Sequence, residues 1–193
     1  MTAYKVGYLI GSLAKGSINR KLAKALVNLA PAELSMTEIP FRDLPLYSYD
    51  YDADFPPPAR AFKKALADVE AVLFVTPEYN RSIPGVLKNA IDWPSRPYGE
   101  SVWEGKPAAI VGATSGPIGT AAAQAHLRSI LVVLGLALMG RPEVYQTLKP
   151  GMIDDNFLIT DERTRLFLGK WVDAFVTWIG KFAVPQQLKI AAE

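Results

Sequence analysis

Three short segments hold the residue types that could do chemistry, and each follows an apolar run of strand length. The first is Gly11-Ser12-Leu13-Ala14-Lys15-Gly16-Ser17-Ile18-Asn19-Arg20, a small, hydroxyl-rich loop that opens into a helical pattern. Such a loop cradles phosphate: backbone N–H groups face the anion, the helix macrodipole favours negative charge, and Ser12, Ser17 and Asn19 can donate further hydrogen bonds. The spacing from Gly11 to Gly16 mimics a nucleoside-triphosphate loop, but Ser17 stands where that motif needs lysine, so the γ-phosphate contact is missing. The loop does not read Gly-x-Gly-x-x-Gly either, which disfavours a dinucleotide held across a Rossmann crevice. What remains is a single phosphate monoester, a ligand that needs no magnesium partner. For the loop taken alone, an ordinary capped helix start is the alternative.

The second segment, Thr76-Pro77-Glu78-Tyr79-Asn80-Arg81-Ser82-Ile83-Pro84-Gly85, follows Ala71-Val72-Leu73-Phe74-Val75, the pattern of a strand covered on both faces. Ser82 is the expected N-cap, Pro84 falls in the first helical turn, and Ile83, Leu87, Ala90 and Ile91 make one apolar stripe. Glu78 reads as a solvated or helix-capping carboxylate, and Arg81 as a surface residue able to reach an anionic substrate or a neighbouring subunit. The third segment is Gly112-Ala113-Thr114-Ser115-Gly116-Pro117-Ile118-Gly119. Its glycines let the backbone approach a flat ring, and its N–H groups could bond the ring's polar edge.

Composition removes competing chemistries. There are no cysteines, which excludes thiolate nucleophiles, thiolate metal sites and a dithiol relay, so redox chemistry would need a borrowed cofactor. The single histidine, His126, leaves histidine-rich metal sites out of reach; its mid-helix position predicts a partly buried, hydrogen-bonded side chain. A hydrolase using Ser115 or Ser12 with His126 lacks any Gly-x-Ser-x-Gly elbow. The formal charge is +2 with scattered basic residues, so no nucleic-acid stripe is visible. No apolar run approaches the roughly 20 residues that span a bilayer, and the start has no signal-peptide pattern, so a cytoplasmic location is expected.

The elements that must position these loops alternate along the 193 residues. Strands are expected at 4–10, 33–39, 71–75, 108–113 and 138–145, and helices at 18–29, 58–68, 84–92, 119–136 and 161–182. This is an α/β plan, a flavodoxin-like doubly wound five-stranded parallel sheet in the order 2-1-3-4-5 with helices on both faces. The length predicts one domain over 1–185 and a tail over 186–193. Phe167, Trp171, Phe175, Trp178 and Phe182 fall at helical spacing and read as core packing. Two long loops, 41–57 and 94–106, stand out; the first alternates Tyr47, Tyr49 and Tyr51 with Asp50, Asp52 and Asp54. It reads either as a cap on the sheet edge or as a wall over a ligand or subunit contact.

The run from Thr76 to Trp93, which contains Pro-Glu-Tyr-Asn, Ser-x-Pro-Gly and Leu-Lys-Asn-Ala-Ile-Asp-Trp, resembles the signature of the NADPH-dependent FMN reductase family, specifically its quinone and chromate reductase branch. The resemblance extends over nearly the whole chain. It implies non-covalent FMN, NADPH or NADH as donor, and ping-pong hydride transfer through flavin N5 to quinones or similar small acceptors such as chromate, azo or nitro compounds. It also implies cofactor contacts at Ser12, Lys15, Gly16, Ser17 and Asn19 around the phosphate. Pro77, Glu78, Tyr79 and Asn80 would lie along the ring and ribityl chain, and Ser115 and Gly116 at the ring's pyrimidine end. No side chain is implied as an acid or base, and no metal. The family's first loop often reads Gly-Ser-x-Arg-x-x-Ser; here Ala14 replaces the arginine, with Lys15 or Arg20 as candidate substitutes. Similarity around His-Leu-Arg-x-Ile-Leu and Pro142-Glu143 implies that Arg128 and Glu143 work at subunit contacts of a homodimer or homotetramer. The alternative is a non-enzymatic FMN-binding electron carrier or sensor, although such carriers tend to be strongly acidic.

Overall fold

The computed structural model describes residues 3–182, so the tail expected at 186–193 lies outside the described residues. The order is β1 (Tyr4–Ile10), α1 (Ile18–Leu29), β2 (Leu34–Glu38), α2 (Pro57–Ala67), β3 (Ala71–Val75), α3 (Gly85–Asp92), β4 (Pro107–Thr114), α4 (Ala121–Val133), β5 (Ala137–Leu138), β6 (Val144–Thr147) and α5 (Glu162–Gly180). All strand pairs are parallel and the path is β2-β1-β3-β4-β5, as the alternation of elements predicts. Successive side chains of a strand point to opposite faces, and the two cores follow that period. Val6, Tyr8, Ile10, Leu73 and Val111 face Leu22 and Leu26 of α1 and Trp171 and Phe175 of α5. Leu9, Val72, Phe74 and Ile110 face α2, α3 and α4 through Phe62, Leu66, Leu87, Ile91, Leu127 and Leu131.

The fifth strand is not one element. β5 pairs with Pro107 and Ala108, β6 pairs with Val111 through Thr114, and both lie on the same edge of β4. Between them stand Gly140 and Pro142; proline brings no N–H to a ladder, so the pairing is interrupted and resumes at Val144. The expected helix at 119–136 is shorter for a local reason. Gly119 and Thr120 have φ of 60° and 74°, and Gly135 has φ of 78°, so left-handed backbone closes α4 at both ends. The aromatic stripe on α5 also divides. Trp171 and Phe175 are buried with Leu168, Val172 and Ile179, whereas Phe167 and Phe182 are exposed on the flank of that face.

The loop 41–57 is pinned to the carboxyl end of α3. Tyr47, Tyr51 and Phe55 surround the buried Trp93 with ring centroids 5.1, 5.5 and 5.0 Å away. Asn89 accepts from the Tyr47 N–H, and both Asn89 and the Trp93 indole donate to the Pro45 carbonyl. Tyr47 donates its hydroxyl to Asp52. The alternation of tyrosine and aspartate therefore builds a satellite cluster over α3.

Asp161 caps α5 by accepting from the Thr164 N–H at 2.8 Å. Hydrogen bonds from Thr164 hold its carboxyl below the ordinary value of 3.8. A depressed folded-state value stabilises the fold fully above the unfolded value and loses that stabilisation as pH falls through the folded one. Asp161→Ala is accordingly expected to lower Tm near neutral pH, with the gap to wild type closing as the pH drops below 3.8 in thermal melts followed by circular dichroism.

Candidate active site

Loops 11–17, 76–84 and 114–120 leave the carboxyl ends of β1, β3 and β4, so the sheet order places them side by side. Their approach requires missing side chains. A Cβ on Gly11 would press on Leu87, Pro77 and Thr76 at 3.1, 3.2 and 3.3 Å, and one on Gly112 would collide with Thr120 and the Thr76 carbonyl. Asn19 completes the junction. Only 2% exposed, it donates Nδ2 to the Ala113 carbonyl and accepts the Ala113 N–H through Oδ1, both at 2.9 Å. The sequence suggested Asn19 as a phosphate donor; the structure shows Oδ1 and one of the two Nδ2 hydrogens given to β4, so Asn19 positions the first loop and keeps a second amide hydrogen.

Within that loop, Ser12 and Ser17 are buried. Ser12 Oγ accepts from the Ala14 N–H and Ser17 Oγ, the N-cap of α1, accepts from the Arg20 N–H, which leaves both hydroxyl hydrogens free to donate. The backbone N–H groups of Leu13, Lys15, Gly16 and Ile18 have no acceptor among the described residues. Gly16 faces open space, and Lys15 is exposed. Orphan donors at a helix start with a macrodipole behind them suit a phosphate monoester, so the donor set fits the terminal phosphate of a mononucleotide. Arg20 does not serve here: its guanidinium is held by both carboxylate oxygens of Glu38, at 2.8 and 2.9 Å.

The second loop is a tight hairpin. Tyr79 and Ser82 exchange N–H···O bonds of 2.9 Å, and Asn80 and Arg81 occupy left-handed backbone with φ of 51° and 66°, the geometry of a type I′ turn. The Tyr79 ring, half exposed, stands on the rim of this loop, and Pro77 is buried beneath it. Glu78 turns inward: its Oε2 accepts from the Ala123 N–H of α4 at 3.1 Å, while Arg81 approaches Oε1 at 3.5 Å. The helix-capping reading of this carboxylate therefore holds, for a helix whose own N-cap, Thr120, makes no capping bond. Ser82 is not the N-cap of α3; Pro84 takes that place, and the Ser82 hydroxyl bonds His126 Nδ1 at 2.7 Å. His126 is exposed rather than partly buried, because α4 turns that edge of its first turns outward.

In the third loop Thr114 Oγ1 donates to the Gly116 carbonyl at 2.7 Å and accepts from the Gly119 N–H, and Thr147 of β6 donates to Gly116 as well. Ser115 is exposed and Gly116 borders open space. The three loops thus form an open shelf with donors at one end and a flat, side-chain-poor edge at the other. A separate concavity, a groove of about 710 Å³ lined by Tyr98, Arg96, Val133 and Leu134, lies away from these three loops. Arg128 and Glu143 meet within one chain, at 3.5 Å, with Arg128 also donating to the Met139 carbonyl. One residue near the shelf was not singled out by its sequence, although it lies in the loop 41–57 that follows β2: Arg42 donates to the Leu13 carbonyl at 2.6 Å.

A parallel sheet in this order, with a donor-rich loop opening the helix after β1, defines a flavodoxin-like α/β protein. The chain belongs to the NADPH-dependent FMN reductase family, whose model matches residues 4–148. It is 51% identical over 177 residues to a 2-hydroxy-1,4-benzoquinone reductase from a Burkholderia species, covering 92% of this chain and 97% of that protein. It is 46% identical over 177 residues to a quinone reductase of Pseudomonas putida, with coverage of 91% and 95%. Among solved structures it superposes on FerB from Paracoccus denitrificans, described as a flavoenzyme NAD(P)H:(acceptor) oxidoreductase, with a TM-score of 0.91 at 44% identity, covering 94% of this chain and 100% of that one.

Removing the Asn19 amide strands the Ala113 N–H and carbonyl in a buried site. Asn19→Ala is expected to cost roughly 2 kcal/mol of stability, read as a lower urea midpoint at unchanged slope.

Proposed function

We propose that the chain is an FMN-dependent NAD(P)H oxidoreductase that reduces quinones and similar small acceptors. The observation that carries this reading is the row of unpartnered N–H groups beside two buried serine hydroxyls, opposite an open, glycine-edged shelf. Family membership and the quinone reductases among its relatives support it. Bound FMN would supply the electron chemistry, taking a hydride from a nicotinamide and passing two electrons to the acceptor. The protein's part is positional. Ser12, Ser17, Gly16 and Lys15 hold the phosphate end, while Pro77, Glu78, Tyr79 and Asn80 wall the shelf along the ring. Ser115 and Gly116 bring backbone groups to its polar edge, where fixed N–H dipoles stabilise developing negative charge. Among the shelf residues Glu78 is taken by the α4 N–H and Asn19 by Ala113, so neither is asked to move a proton.

The test is the visible spectrum after loading with FMN and desalting, then anaerobically after NADPH and again after a quinone. A flavin band that is retained, bleaches and returns is expected; retention without bleaching makes the chain a carrier or sensor. Ser17→Glu is expected to lose the band while keeping the far-ultraviolet circular dichroism of the fold.

We further infer that copies of the chain associate. Tyr98 and Val133 are 92% and 81% exposed and both line the 710 Å³ groove, where Arg96 and Glu104 add charged groups, so two large apolar side chains with a polar surround stand in solvent on one side of the chain. Light scattering coupled to size exclusion should give a mass of two or four chains of 21.1 kDa, and Val133→Asp should lower it; a monomer for wild type overturns this.

A further inference from the structure

We propose that Arg42 supplies the positive charge that holds the flavin phosphate in this chain, and thereby makes it discriminate FMN from unphosphorylated flavin. The proposal rests on the functional reading above. A phosphate monoester carries up to two negative charges near neutral pH, and a helix start offers the equivalent of only about half a positive charge. Hydroxyls and N–H groups solvate the anion without neutralising it, so a nearby cation decides much of the affinity.

Most cations near the loop are already engaged. Arg20 is locked onto both oxygens of Glu38. Lys24 donates to the Tyr8 hydroxyl at 3.1 Å and sits 3.7 Å from Glu38, and Lys21 pairs with Asp155. The basic residues of α1 are thus consumed by β2 and by the segment before α5. Lys15 lies in the loop itself and, exposed like Arg42, has no hydrogen bond among the described residues to hold its flexible stem. Arg42 comes from another element and is already seated on the loop. Its Nη2 donates to the Leu13 carbonyl at 2.6 Å, and it makes no ion pair with a carboxylate among the described residues. One of five guanidinium N–H donors meets that carbonyl, which leaves most of the fork for an anion.

The backbone that presents Arg42 is fixed. Ile39 extends the β2 pairing by donating to the Tyr8 carbonyl, and Phe41 is buried with its ring 6.2 Å from Phe62. Leu44 then donates back to the Phe41 carbonyl, turning the chain so that residue 42 faces the loop. The bond falls on Leu13, one residue before Ala14, whose methyl group offers no charge and leaves that flank of the loop clear. A cation carried by the crossover after β2 thus stands beside a loop that has none fixed within it.

The experiment is titration of flavin-free protein with FMN and, separately, with riboflavin, followed by quenching of flavin fluorescence, for wild type, Arg42→Met and the double variant Ala14→Arg/Arg42→Met. Arg42→Met is expected to weaken FMN about tenfold or more while leaving riboflavin unchanged, and the guanidinium introduced by Ala14→Arg to restore FMN. Equal weakening of both flavins makes Arg42 a tether for the loop and overturns the proposal. Unchanged FMN affinity in Arg42→Met overturns it too, yet leaves the reductase reading standing if NADPH still bleaches bound flavin. Wild-type protein that takes up neither flavin removes both.

Discussion

The amide of Asn19 bridges two strands that do not touch. β1 and β4 are separated by β3, and a helix that begins after β1 has no backbone route to the end of β4. By taking both the N–H and the carbonyl of Ala113, one buried side chain draws the start of α1 against β4 and sets the distance between the first and third loops. Gly11 and Gly112 provide the clearance: Thr76 reaches toward both, and with Leu87 and Pro77 at Gly11 and Thr120 at Gly112 it fills the space their side chains would occupy. The loops can converge only because both conditions hold, and the buried, parallel arrangement makes a partial solution costly.

The run from Thr76 to Trp93 reads as a ligand signature, yet much of it is scaffold. Glu78 spends a carboxylate on the amino end of α4, which needs it because Thr120 is left-handed and makes no capping bond of its own. Asn89 and Trp93 hold the Pro45 carbonyl, and through it the tyrosine-rich segment. What remains for a ligand is mostly backbone, together with two serine hydroxyls and the exposed ring of Tyr79. That economy suits a cofactor that performs the electron transfer itself and asks the protein for place, polarity and access.

Charge follows the same logic. The chain is close to neutral, and the basic residues along α1 are paired with Glu38 or Asp155. Positive potential near the first loop therefore comes from the helix start, from Lys15 within the loop and from Arg42 reaching in from the loop after β2. Among the described residues no helix is long and apolar enough to cross a membrane.

Local pattern alone determined the strand and helix order, because apolar runs such as Ala71 through Val75 and caps such as Ser17 and Asp161 depend only on near neighbours. It also determined the parallel sheet and which loops would meet, since a doubly wound order puts successive strand ends on one edge. Tertiary structure decided the partners. Asn19 and Glu78 carry donors and acceptors that a sequence can count but not direct, and their partners lie 94 and 45 residues away. The split of the last strand rested on Gly140 and Pro142 competing with an apolar run, and the flank position of Phe167 on the aliphatic residues that share α5. Arg42 lies in the loop after β2, whose sequence carries no phosphate pattern, and its partner Leu13 lies 29 residues away, so the contact exists only once Phe41 has packed against Phe62. A short-range pattern encodes which faces are buried; which polar group answers which is set by distances that exist only after the chain has closed.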